Sequence, residues 1–400
     1  MPTDLLTAAQ ALMPQIVAIR RRLHRHPELG LQLPETQEAI VEELERMGLQ
    51  PRLGRATTSV TALIGDDRPG PTTILRGDMD ALPLTERTGL DFASEIDGRM
   101  HACGHDTHVA MLLGGARLLV ERAADLPGPV LLMFQPGEEG WFGARIMLEE
   151  GLLDGLDLAA TRAFAIHIST RYPSGEIHTR RGPLLASADN FKITIRGRGG
   201  HASAPHKALD PIPVAAEIVT AFQTSLTREV DVFDPAVITV AHIEAGTTFN
   251  IIPEEARLQG TYRTLSPERR EAVGALIRRV VDGVCAAHGT TGDIAFEELY
   301  PVTVNDAEVT DLVRGLAEGL VGSAAVHEMT SPEMGAEDFS YLLQRVPGAM
   351  VFLGGRAPGE DPVNYANNHS DLVVFDEPAM AVGAALYAEV GLRLVGADRA

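Results

Sequence analysis

Residues 72–78, "TTILRGD", form a short apolar run that ends on a carboxylate. Two runs of the same kind follow along the chain, "PVLLMFQ" at residues 129–135 and "RAFAIHI" at residues 162–168. Helical patterns separate the runs, among them "HVAMLLGGARLLVERA" at residues 108–123. Strands that are apolar on both faces and alternate with helices predict an α/β domain with a mixed, largely parallel sheet.

The periodicity changes after residue 183. "NFKITIRG", residues 190–197, alternates apolar and polar side chains, as a half-buried strand does. The remaining patterns of this region are a helix after Pro211, "AVITVAHIE" at 236–244, "EARLQGTYRTL" at 255–265, a helix from Pro267 to about Ala287, and "GDIAFEELY" at 292–300. The resulting βαββαβ order is typical of a small two-layer α+β module of the ferredoxin-like kind.

The α/β pattern resumes after this module. "GAMVFLGG", residues 348–355, reads as a buried strand, and residues 377–396 read as a terminal helix. We therefore predict a discontinuous α/β domain formed by residues 1–183 and 301–400, with residues 184–300 inserted as a separate module.

Composition excludes several classes of partner. The 400-residue chain has a formal net charge of −21, and an acidic surface repels phosphate backbones, so we expect no nucleic-acid partner. The apolar runs are too short for a membrane span, so we expect no membrane partner. Two cysteines cannot form a disulfide framework, and the N-terminal residues lack the features of a secretory signal. We therefore expect a cytoplasmic protein.

Polar side chains follow the predicted strands where each strand ends. Asp78 and Asp80 follow the first run, Glu138 and Glu139 follow the second, and His167 lies near the end of the third. Ligands of open α/β sheets bind beyond the carboxyl ends of the strands, where these side chains would meet. The sequence therefore predicts a site that can bind metal at one edge of the sheet.

Cys103 and His105 lie in "MHACGHDTH", residues 100–108. Thiolate and imidazole are preferred ligands of zinc and neighbouring metals, and an extended backbone would place both side chains on the same side. A buried structural cysteine beside surface histidines remains an alternative. Cys285, on the apolar face of a predicted helix, is expected to be inert packing.

Adjacent carboxylates at Glu138 and Glu139 suit hydrolysis, because one can bind a metal while the other faces a reacting water. Two solvated glutamates in a turn are the alternative. His167 could equally be a hydrogen-bonded core histidine. His369 lies in the turn-rich stretch "NYANNHSDLVVFDE", residues 364–377, where a surface histidine is the simpler interpretation.

Three residues of the inserted module are further candidates. His201 follows glycines in "RGRGGHASAPH", residues 196–206, and these glycines would let the backbone approach another surface. Arg263 lies on the polar face of its predicted strand and could bind a carboxylate through two hydrogen bonds. Asn250 precedes that strand. An exposed hairpin tip and a solvated arginine are the alternatives.

Taken together, these residues make the sequence similar to the metal-dependent aminoacylase and carboxypeptidase family, and most similar to its hippurate hydrolase-like branch of N-acyl-amino-acid amidohydrolases. The matching stretches, in chain order, are "RRLHRHPELG" (21–30), "LRGDMDALPL" (75–84), "MHACGHDTHVAMLLG" (100–114), "LMFQPGEEGWFGA" (132–144), "FAIHI" (164–168), "GRGGHASAPHKALDPI" (197–212), "FNIIPEEARLQGTYRT" (249–264), "GAEDFSYL" (335–342) and "NHSDLVVFDE" (368–377). They span almost the whole chain.

The resemblance implies a zinc-exopeptidase-like catalytic domain that binds two divalent ions, which could be zinc, manganese, cobalt or nickel. Its implied metal ligands are Cys103 as a bridge between the ions, together with His105, Glu139, His167 and His369. Three further roles are implied: Glu138 as general base, Asp80 as a group that orients a ligand, and His201 as a group that stabilises the oxyanion. Asp78 stands where other branches have a histidine ligand, and we expect it near the ions without assigning it as a ligand.

The resemblance also implies hydrolysis of N-acyl-L-amino acids, with Asn250 and Arg263 holding the free α-carboxylate. It implies that the inserted module is a lid that forms a homodimer or a larger assembly, and it leaves open whether His201 acts in the site of its own or of the second subunit. Two alternatives stay open. One is a dipeptidase or carboxypeptidase on the same scaffold, and the other is a catalytically silent metal-binding homologue.

Overall fold

A computed structural model describes residues 4–395, and these residues form two compact units. The first unit comprises the chain up to Leu184, together with Val304–Ser331 and the chain from Asp338 onward. The second unit comprises Leu185–Thr303 and Pro332–Glu337.

The helices of the described part of the chain are distributed over both units. They are α1 (Leu5–Arg25), α2 (Pro34–Arg46), α3 (His105–Glu121), α4 (Gly143–Glu149), α5 (Pro211–Glu229), α6 (Pro267–Ala287), α7 (Ala307–Val321), α8 (Ser340–Leu343) and α9 (Ala379–Arg393). Short 3-10 turns occupy Ala123–Asp125, Pro205–Lys207 and Ser323–Ala325.

The strands, in chain order, are β1 (Arg52–Leu53), β2 (Val60–Ile64), β3 (Thr73–Asp78), β4 (Val130–Gln135), β5 (Arg162–Pro173), β6 (Ile177–Thr179), β7 (Gly182–Leu185), β8 (Asp189–Arg196), β9 (Gly200–His201), β10 (Ala236–Ala245), β11 (Ile251–Ile252), β12 (Glu255–Thr264), β13 (Thr291–Glu298), β14 (Thr303–Asn305), β15 (Val326–Glu328) and β16 (Gly348–Arg356).

The first unit is built on an eight-stranded sheet in the order β1-β2-β4-β3-β5-β16-β6-β15. Four neighbouring pairs are parallel, namely β3–β4, β3–β5, β5–β16 and β6–β15. The pairs β1–β2, β2–β4 and β6–β16 are antiparallel. The predicted α/β class with a mixed, largely parallel sheet is therefore confirmed.

Packing explains why the central strands read as continuous apolar runs. Every residue of β3 and of β4 is buried, because helices cover the sheet. Helix α3 packs against α1 and α9, and its apolar side chains join theirs in one core. Burying a side chain such as Leu113 or Ile16 contributes about 1.5–3 kcal/mol each. This packing fixes the positions of the strand ends that carry the polar candidates.

The second unit has the predicted βαββαβ order, with β8, α5, β10, β12, α6 and β13 in succession. Its four strands form an antiparallel sheet in the order β10-β12-β8-β13. Helix α6 begins at Pro267, as the sequence predicted, and the Ser266 hydroxyl caps it by accepting a hydrogen bond from Arg269 N. Cys285 is buried in the apolar core of this unit, in agreement with its expected packing role.

One segment departs from the sequence-based expectations. Residues 332–337 pack with the second unit, where the Ala186 backbone N–H donates to Glu333 O and Gly335 O at 3.0 and 2.9 Å. The predicted terminal helix corresponds to α9, and residue 396 at its predicted end lies outside the described residues. The predicted boundaries at residues 183 and 300 remain predictions about where the two domains divide.

None of the helices between residues 4 and 395 combines the length and the apolar composition that a membrane span requires.

Candidate metal centre

Gly104 separates Cys103 from His105, and its backbone has φ of +94°. The predicted extended backbone between the two candidate ligands is therefore wrong: the chain turns sharply there, and His105 is the first residue of α3. A Cβ atom at Gly104 would lie 2.5 Å from Ile168 Cγ2, so only glycine fits this turn without displacing its neighbours. The turn places the thiol of Cys103 beside the N-terminus of a buried helix.

Side chains from distant segments meet around the Cys103 sulfur. His167 Nε2 on β5 lies 3.4 Å from Cys103 Sγ, and His369 Nε2 lies 3.3 Å from it. Glu139 Oε1 lies 3.3 Å from His369 Nε2. The ligand atoms of Cys103, His105 and His167 all lie within 4.8 Å of one another, and so do those of Cys103, Glu139 and His369. Two three-residue groups that could each hold an ion therefore share the same sulfur atom.

His105 points one ring nitrogen into this cluster. Its Nδ1–H donates to Asp80 O at 2.8 Å, which leaves the Nε2 lone pair of the neutral ring for another partner. That Nε2 atom is buried and has no hydrogen-bond partner among residues 4–395. It lies 4.0 Å from both Glu138 Oε2 and Glu139 Oε1, and 3.7 Å from Asp78 Oδ2. A buried ring nitrogen that has no partner and lies among anionic oxygens is suited to be a ligand of a metal cation.

Asp80 holds the turn that carries the two glutamates. Its carboxylate accepts from Glu138 N at 3.0 Å and from Glu139 N at 3.1 Å, while its backbone carbonyl accepts from His105. Asp80 thus ties β3 to the turn after β4 and to α3. This geometry supports the predicted role of Asp80 in orienting other groups.

Glu138 and Glu139 leave the same turn with different surroundings. The Glu139 carboxylate faces His369 and the Cys103 sulfur, whereas Glu138 is buried beside His105. Adjacent carboxylates are therefore available for two tasks, one toward an ion and the other toward a reacting molecule.

The electrostatics of the cluster favour charged ligands. Burial and the Glu139 carboxylate raise the pKa of the Cys103 thiol, but His167 and His105 outweigh them and bring it down to about 6. Hydrogen bonds to Cys103 and Glu139 raise the pKa of His369 to about 10. Burial lowers the pKa of His167, but the thiolate outweighs it and brings it up to about 9. Divalent cations would take the place of these protons, as metal binding to thiolate and imidazole does.

Polar residues to which the sequence analysis gave no role bind the Asp78 carboxylate. His108 Nδ1–H donates to Asp78 Oδ1 at 2.6 Å, and His108 Nε2 accepts from Ile168 N at 2.8 Å. Burial is the largest influence on His108 and lowers its pKa to about 4, so its ring is neutral. Arg76 contacts the other oxygen of Asp78. Asp78 therefore lies near the cluster but is already held by its own partners.

Arg76 also links distant parts of the chain. Its guanidinium donates to Gln135 Oε1 at 2.9 Å and to Asp338 Oδ1 at 3.1 Å. The other oxygen of Asp338 accepts from Ala144 N at 2.9 Å. Asp338 lies in "GAEDFSYL", one of the stretches that match the family. The sequence analysis assigned no role to Asp338, although this match could have indicated one.

Asn368 fixes the loop that carries His369. Its side-chain N–H groups donate to Cys103 O at 3.0 Å and to Ile168 O at 2.9 Å, and its side-chain oxygen accepts from Thr170 N at 3.2 Å. His369 itself has a left-handed backbone with φ of +68°, which is uncommon for a residue other than glycine. The neighbouring asparagine therefore stabilises a strained backbone that aims His369 at the Cys103 sulfur.

A buried charge network lies on α1 and α3 behind the cluster. Asp106 Oδ2 accepts from Arg20 Nε at 3.1 Å and from His24 Nδ1 at 2.8 Å, and His24 Nε2 lies 3.3 Å from Glu86. Burial lowers the pKa of His24, but Asp106 outweighs it and brings it up to about 9. The network anchors the residue that directly follows His105.

The second unit places two of its three candidate residues side by side. His201 on β9 pairs with Ile251 on β11, and Ala202 N donates to Asn250 O at 3.1 Å, so His201 and Asn250 are neighbours and both are exposed. Ser203 N donates to His201 Nδ1 at 3.1 Å. In the neutral ring the proton therefore lies on Nε2, which can donate outward.

Close packing supports this two-stranded loop. A Cβ atom at Gly199 would lie 3.1 Å from Ile252 O. This observation agrees with the expectation that the glycines before His201 permit a close approach of two backbones.

Arg263 belongs to a different sheet of the second unit, on β12. Its NH1 group donates to Met334 O at 2.8 Å, and its side chain is half-buried. Burial lowers the pKa of the guanidinium, which still stays charged in proteins. Arg263 is thus a desolvated cation anchored by one hydrogen bond.

A thiol that lies among imidazole and carboxylate side chains, with a further carboxylate beside them at the strand ends, is typical of a metal-dependent hydrolase. Comparisons with known proteins agree. The sequence profile of peptidase family M20/M25/M40 matches residues 74–393. The chain is 42% identical over 382 residues to thermostable carboxypeptidase 1 of Saccharolobus solfataricus, covering 94% of this chain and 95% of that protein. It is 37% identical over 389 residues to N-acetylcysteine deacetylase of Bacillus subtilis, covering 96% and 98%.

A solved structure gives the same result. The YXEP protein of Bacillus subtilis, described as a dinuclear metal binding peptidase from the M20 family, superposes with a TM-score of 0.82 at 34% identity, covering 96% of this chain and 98% of that one. The chain belongs to peptidase family M20/M25/M40. It is therefore a metallo-amidohydrolase, and the resemblance inferred from its motifs is confirmed.

Proposed function

We propose that the protein hydrolyses the amide bond of N-acyl-L-amino acids of the hippurate type, releasing a carboxylic acid and a free amino acid. The observation that carries this proposal is the shared Cys103 sulfur of two potential ligand groups, with Glu138 buried at their side. The N-acetylcysteine deacetylase similar to this chain cleaves, by its name, an N-acyl amino acid.

Two divalent ions fit the donor set. They would be held by Cys103, His105, Glu139, His167 and His369. The buried His105 Nε2, which has no hydrogen-bond partner among the described residues, is the observation of this structure that supports the fit. When bound, the ions would polarise the amide carbonyl and lower the pKa of a water. Zinc, manganese, cobalt and nickel all suit this mixed set of ligands.

Glu138 acts as the general base in this proposal. Its carboxylate takes a proton from the attacking water, whose oxygen bonds to the carbonyl carbon. The carbon–nitrogen bond then breaks, and Glu138 returns the proton to the leaving amine nitrogen. Asp80 keeps Glu138 in place through the backbone hydrogen bond at 3.0 Å.

Groups of the second unit bind the rest of the substrate. The Nε2–H of His201 donates to the oxygen on which charge develops, and the hydrogen bond from Ser203 supports this tautomer. Arg263 and Asn250 hold the free α-carboxylate. A half-buried guanidinium binds a carboxylate more strongly than a solvated one does, so Arg263 explains how an acidic protein accepts an anionic substrate.

The proposal includes a homodimer formed through the second unit. Strand β10 is an edge strand of the four-stranded sheet, and Val237 and Ile243 on it are 39% and 54% exposed. An exposed apolar edge strand can pair with another chain, and self-pairing of β10 would cover it. Sedimentation equilibrium of the purified protein measures the assembly directly.

A second candidate function is removal of residues from peptides on the same scaffold, because thermostable carboxypeptidase 1 is also similar to this chain. The two functions differ in the group on the carbonyl side of the scissile bond, which is an acyl group in one case and an aminoacyl group in the other.

Metal analysis of the purified protein, followed by a substrate panel, separates the two. Benzoyl-, acetyl- and aminoacyl-substituted forms of the same amino acid are assayed with zinc, manganese, cobalt and nickel in turn. We expect the acyl-amino acids to have the higher kcat/KM. Hydrolysis confined to the aminoacyl substrates would instead establish the peptidase function.

A further inference from the structure

Three residues of the first unit form a group outside the candidate metal centre. Glu176, His178 and His327 lie on or next to β6 and β15, the last two strands of the eight-stranded sheet. Their ligand atoms all lie within 4.8 Å of one another. We refer to these three residues as the outer cluster.

The sheet brings the outer cluster together. Glu176 and His178 are two residues apart at the start of β6, so their side chains point to the same face. His178 and His327 are direct partners in the parallel pairing of β6 with β15. Direct partners on neighbouring strands also share a face. Two imidazoles and one carboxylate therefore converge without any loop rearrangement.

The distances suit ligands of a single ion. His178 Nε2 lies 2.9 Å from Glu176 Oε2, and His327 Nε2 lies 3.5 Å from the same oxygen. The two imidazole rings are stacked, with centroids 4.6 Å apart and planes 24° apart. Both Nε2 atoms thus face one carboxylate oxygen, so a single cation could contact all three groups.

One atom of the outer cluster is incompletely satisfied. His327 Nε2 is buried, and it has no hydrogen-bond partner among residues 4–395. A buried ring nitrogen normally has a partner, so this one needs an explanation. On the opposite face of His178, Tyr172 stacks at a centroid distance of 3.7 Å and limits rotation of the ring. The outer cluster is therefore oriented in advance, with one ligand position unpaired.

The outer cluster is distinct from the Cys103 centre. In the sheet, His167 on β5 is the partner of Phe352 on β16, and Phe352 is the partner of His178 on β6. These pairings place His178 two strand spacings, or about 10 Å, from His167. Because Phe352 lies between them, the outer cluster and the Cys103 centre do not share a ligand.

We propose that the outer cluster binds a further divalent transition-metal ion through His178 Nε2, His327 Nε2 and Glu176. Two histidines and one glutamate are an established ligand set for zinc, and imidazole also suits nickel and copper. Calcium and magnesium prefer oxygen ligands and would bind poorly. Glu176 and His327 are 28% and 41% exposed on their side chains, so the outer cluster lies close to solvent.

The ion would stabilise the edge of the sheet by linking β6 to β15. Strand β15 has three residues and pairs only with β6 in this sheet, so little backbone hydrogen bonding holds it. A bond from each strand to one ion adds a cross-link that exists only in the folded state. Ligands that bind only the folded state raise the unfolding temperature as their concentration increases.

Counting ions tests the proposal on the full chain. Wild-type protein, His327→Gln and Glu176→Gln are stripped with a chelator and dialysed against a series of Zn²⁺ concentrations. Bound zinc per chain is then measured by mass spectrometry. We expect wild type to bind one ion more than either variant. We also expect the rise of its unfolding temperature with added Zn²⁺ to exceed theirs.

His288→Gln is the matched control, because His288 Nε2 lies 2.7 Å from Glu217 Oε2 and makes a His–Glu contact of similar length in the second unit. It should bind as many ions as wild type. Equal ion counts in wild type, His327→Gln and Glu176→Gln would show that the outer cluster is an ordinary hydrogen-bonded group. The Cys103 centre is intact in all four proteins, so the difference between them is independent of the proposed amidohydrolase activity.

Discussion

The Cys103 centre of the first unit and the two-stranded loop around His201 in the second unit both contain candidate functional residues, and they are built very differently. Around Cys103, side chains from distant chain segments lie 3.3–3.4 Å from the sulfur; Cys103, His105 and Glu138 are buried there, whereas His369 is partly open to solvent. In the His201 loop, His201 and Asn250 are exposed and have only local contacts. Metal ligands must be held against one another before any ion binds, whereas groups that contact a substrate must stay accessible to it. The comparison agrees with the proposal that the first unit performs the chemistry and the second unit contributes to substrate recognition.

Glu138→Gln tests the chemical half of this comparison and should have the largest effect. Glutamine keeps the size of the side chain but cannot accept the proton, so we expect kcat to fall by about 10²–10⁴-fold. Bound metal should stay at the wild-type level, because Glu138 is not among the assigned ligands. Turnover near the wild-type rate would mean that another group is the base. Glu139→Gln is the matched control and should lose metal as well as activity.

His201→Ala tests whether the exposed loop contributes to the reaction. Loss of a donor to the developing oxyanion should lower kcat by about 10²–10³-fold with little change in bound metal. His206→Ala is the matched control, because His206 is exposed on the turn that follows. If both variants lose the same activity, the effect reflects the loop as a whole, and His201 has no particular role.

Arg263→Ala tests carboxylate recognition and should have a smaller effect. Hydrogen bonds to charged groups contribute about 1.5–3 kcal/mol, so KM should rise by about 10–100-fold for substrates with a free α-carboxylate. Substrates with an amidated carboxyl group should show no such change. Arg257→Ala is the control, since Arg257 lies on the same strand and face and pairs with Glu255. An equal KM change in both variants would remove Arg263 from the binding role.

His24→Gln tests how much the buried network behind the ligands contributes, through the pH dependence of stability. The pKa of His24 is raised from 6.5 to about 9 in the folded protein, so its contribution is complete below pH 6.5 and is lost as the pH rises through 9. We expect the gap in unfolding temperature between wild type and His24→Gln to be widest near pH 6 and to close by about pH 10. Thermal unfolding at a series of pH values measures it. A gap that does not change with pH would show that His24 does not titrate in this way.

The sequence predicts the fold, and it predicts which edge of the sheet carries the candidate site, for a physical reason. The apolar runs that became β3, β4 and β5 are buried on both faces, and polar residues can follow such strands only where the strands leave the core. Asp80, Glu139 and His167 could therefore be expected at one sheet edge.

Other features depend on contacts that no local pattern records. The hydrogen bond from Arg76 to Asp338 joins residues 262 positions apart, and the Asn368 side chain reaches Cys103 and Ile168 in two other segments. The left-handed turn at Gly104 was missed because the expectation used strand geometry for a segment that starts a helix. Packing decides these details, and packing is known only once the whole chain has folded.

The position of β16 affects the order in which the two units can fold during synthesis. This strand, residues 348–356, lies between β5 and β6 in the sheet, so β5 and β6 cannot complete their pairing until the ribosome has added a segment that follows the whole second unit. The second unit is complete once residue 337 has been added. We expect it to mature first, and pulse-labelling by hydrogen exchange during synthesis should protect amides of β8 and β12 before those of β5. Simultaneous protection of both groups would contradict this order.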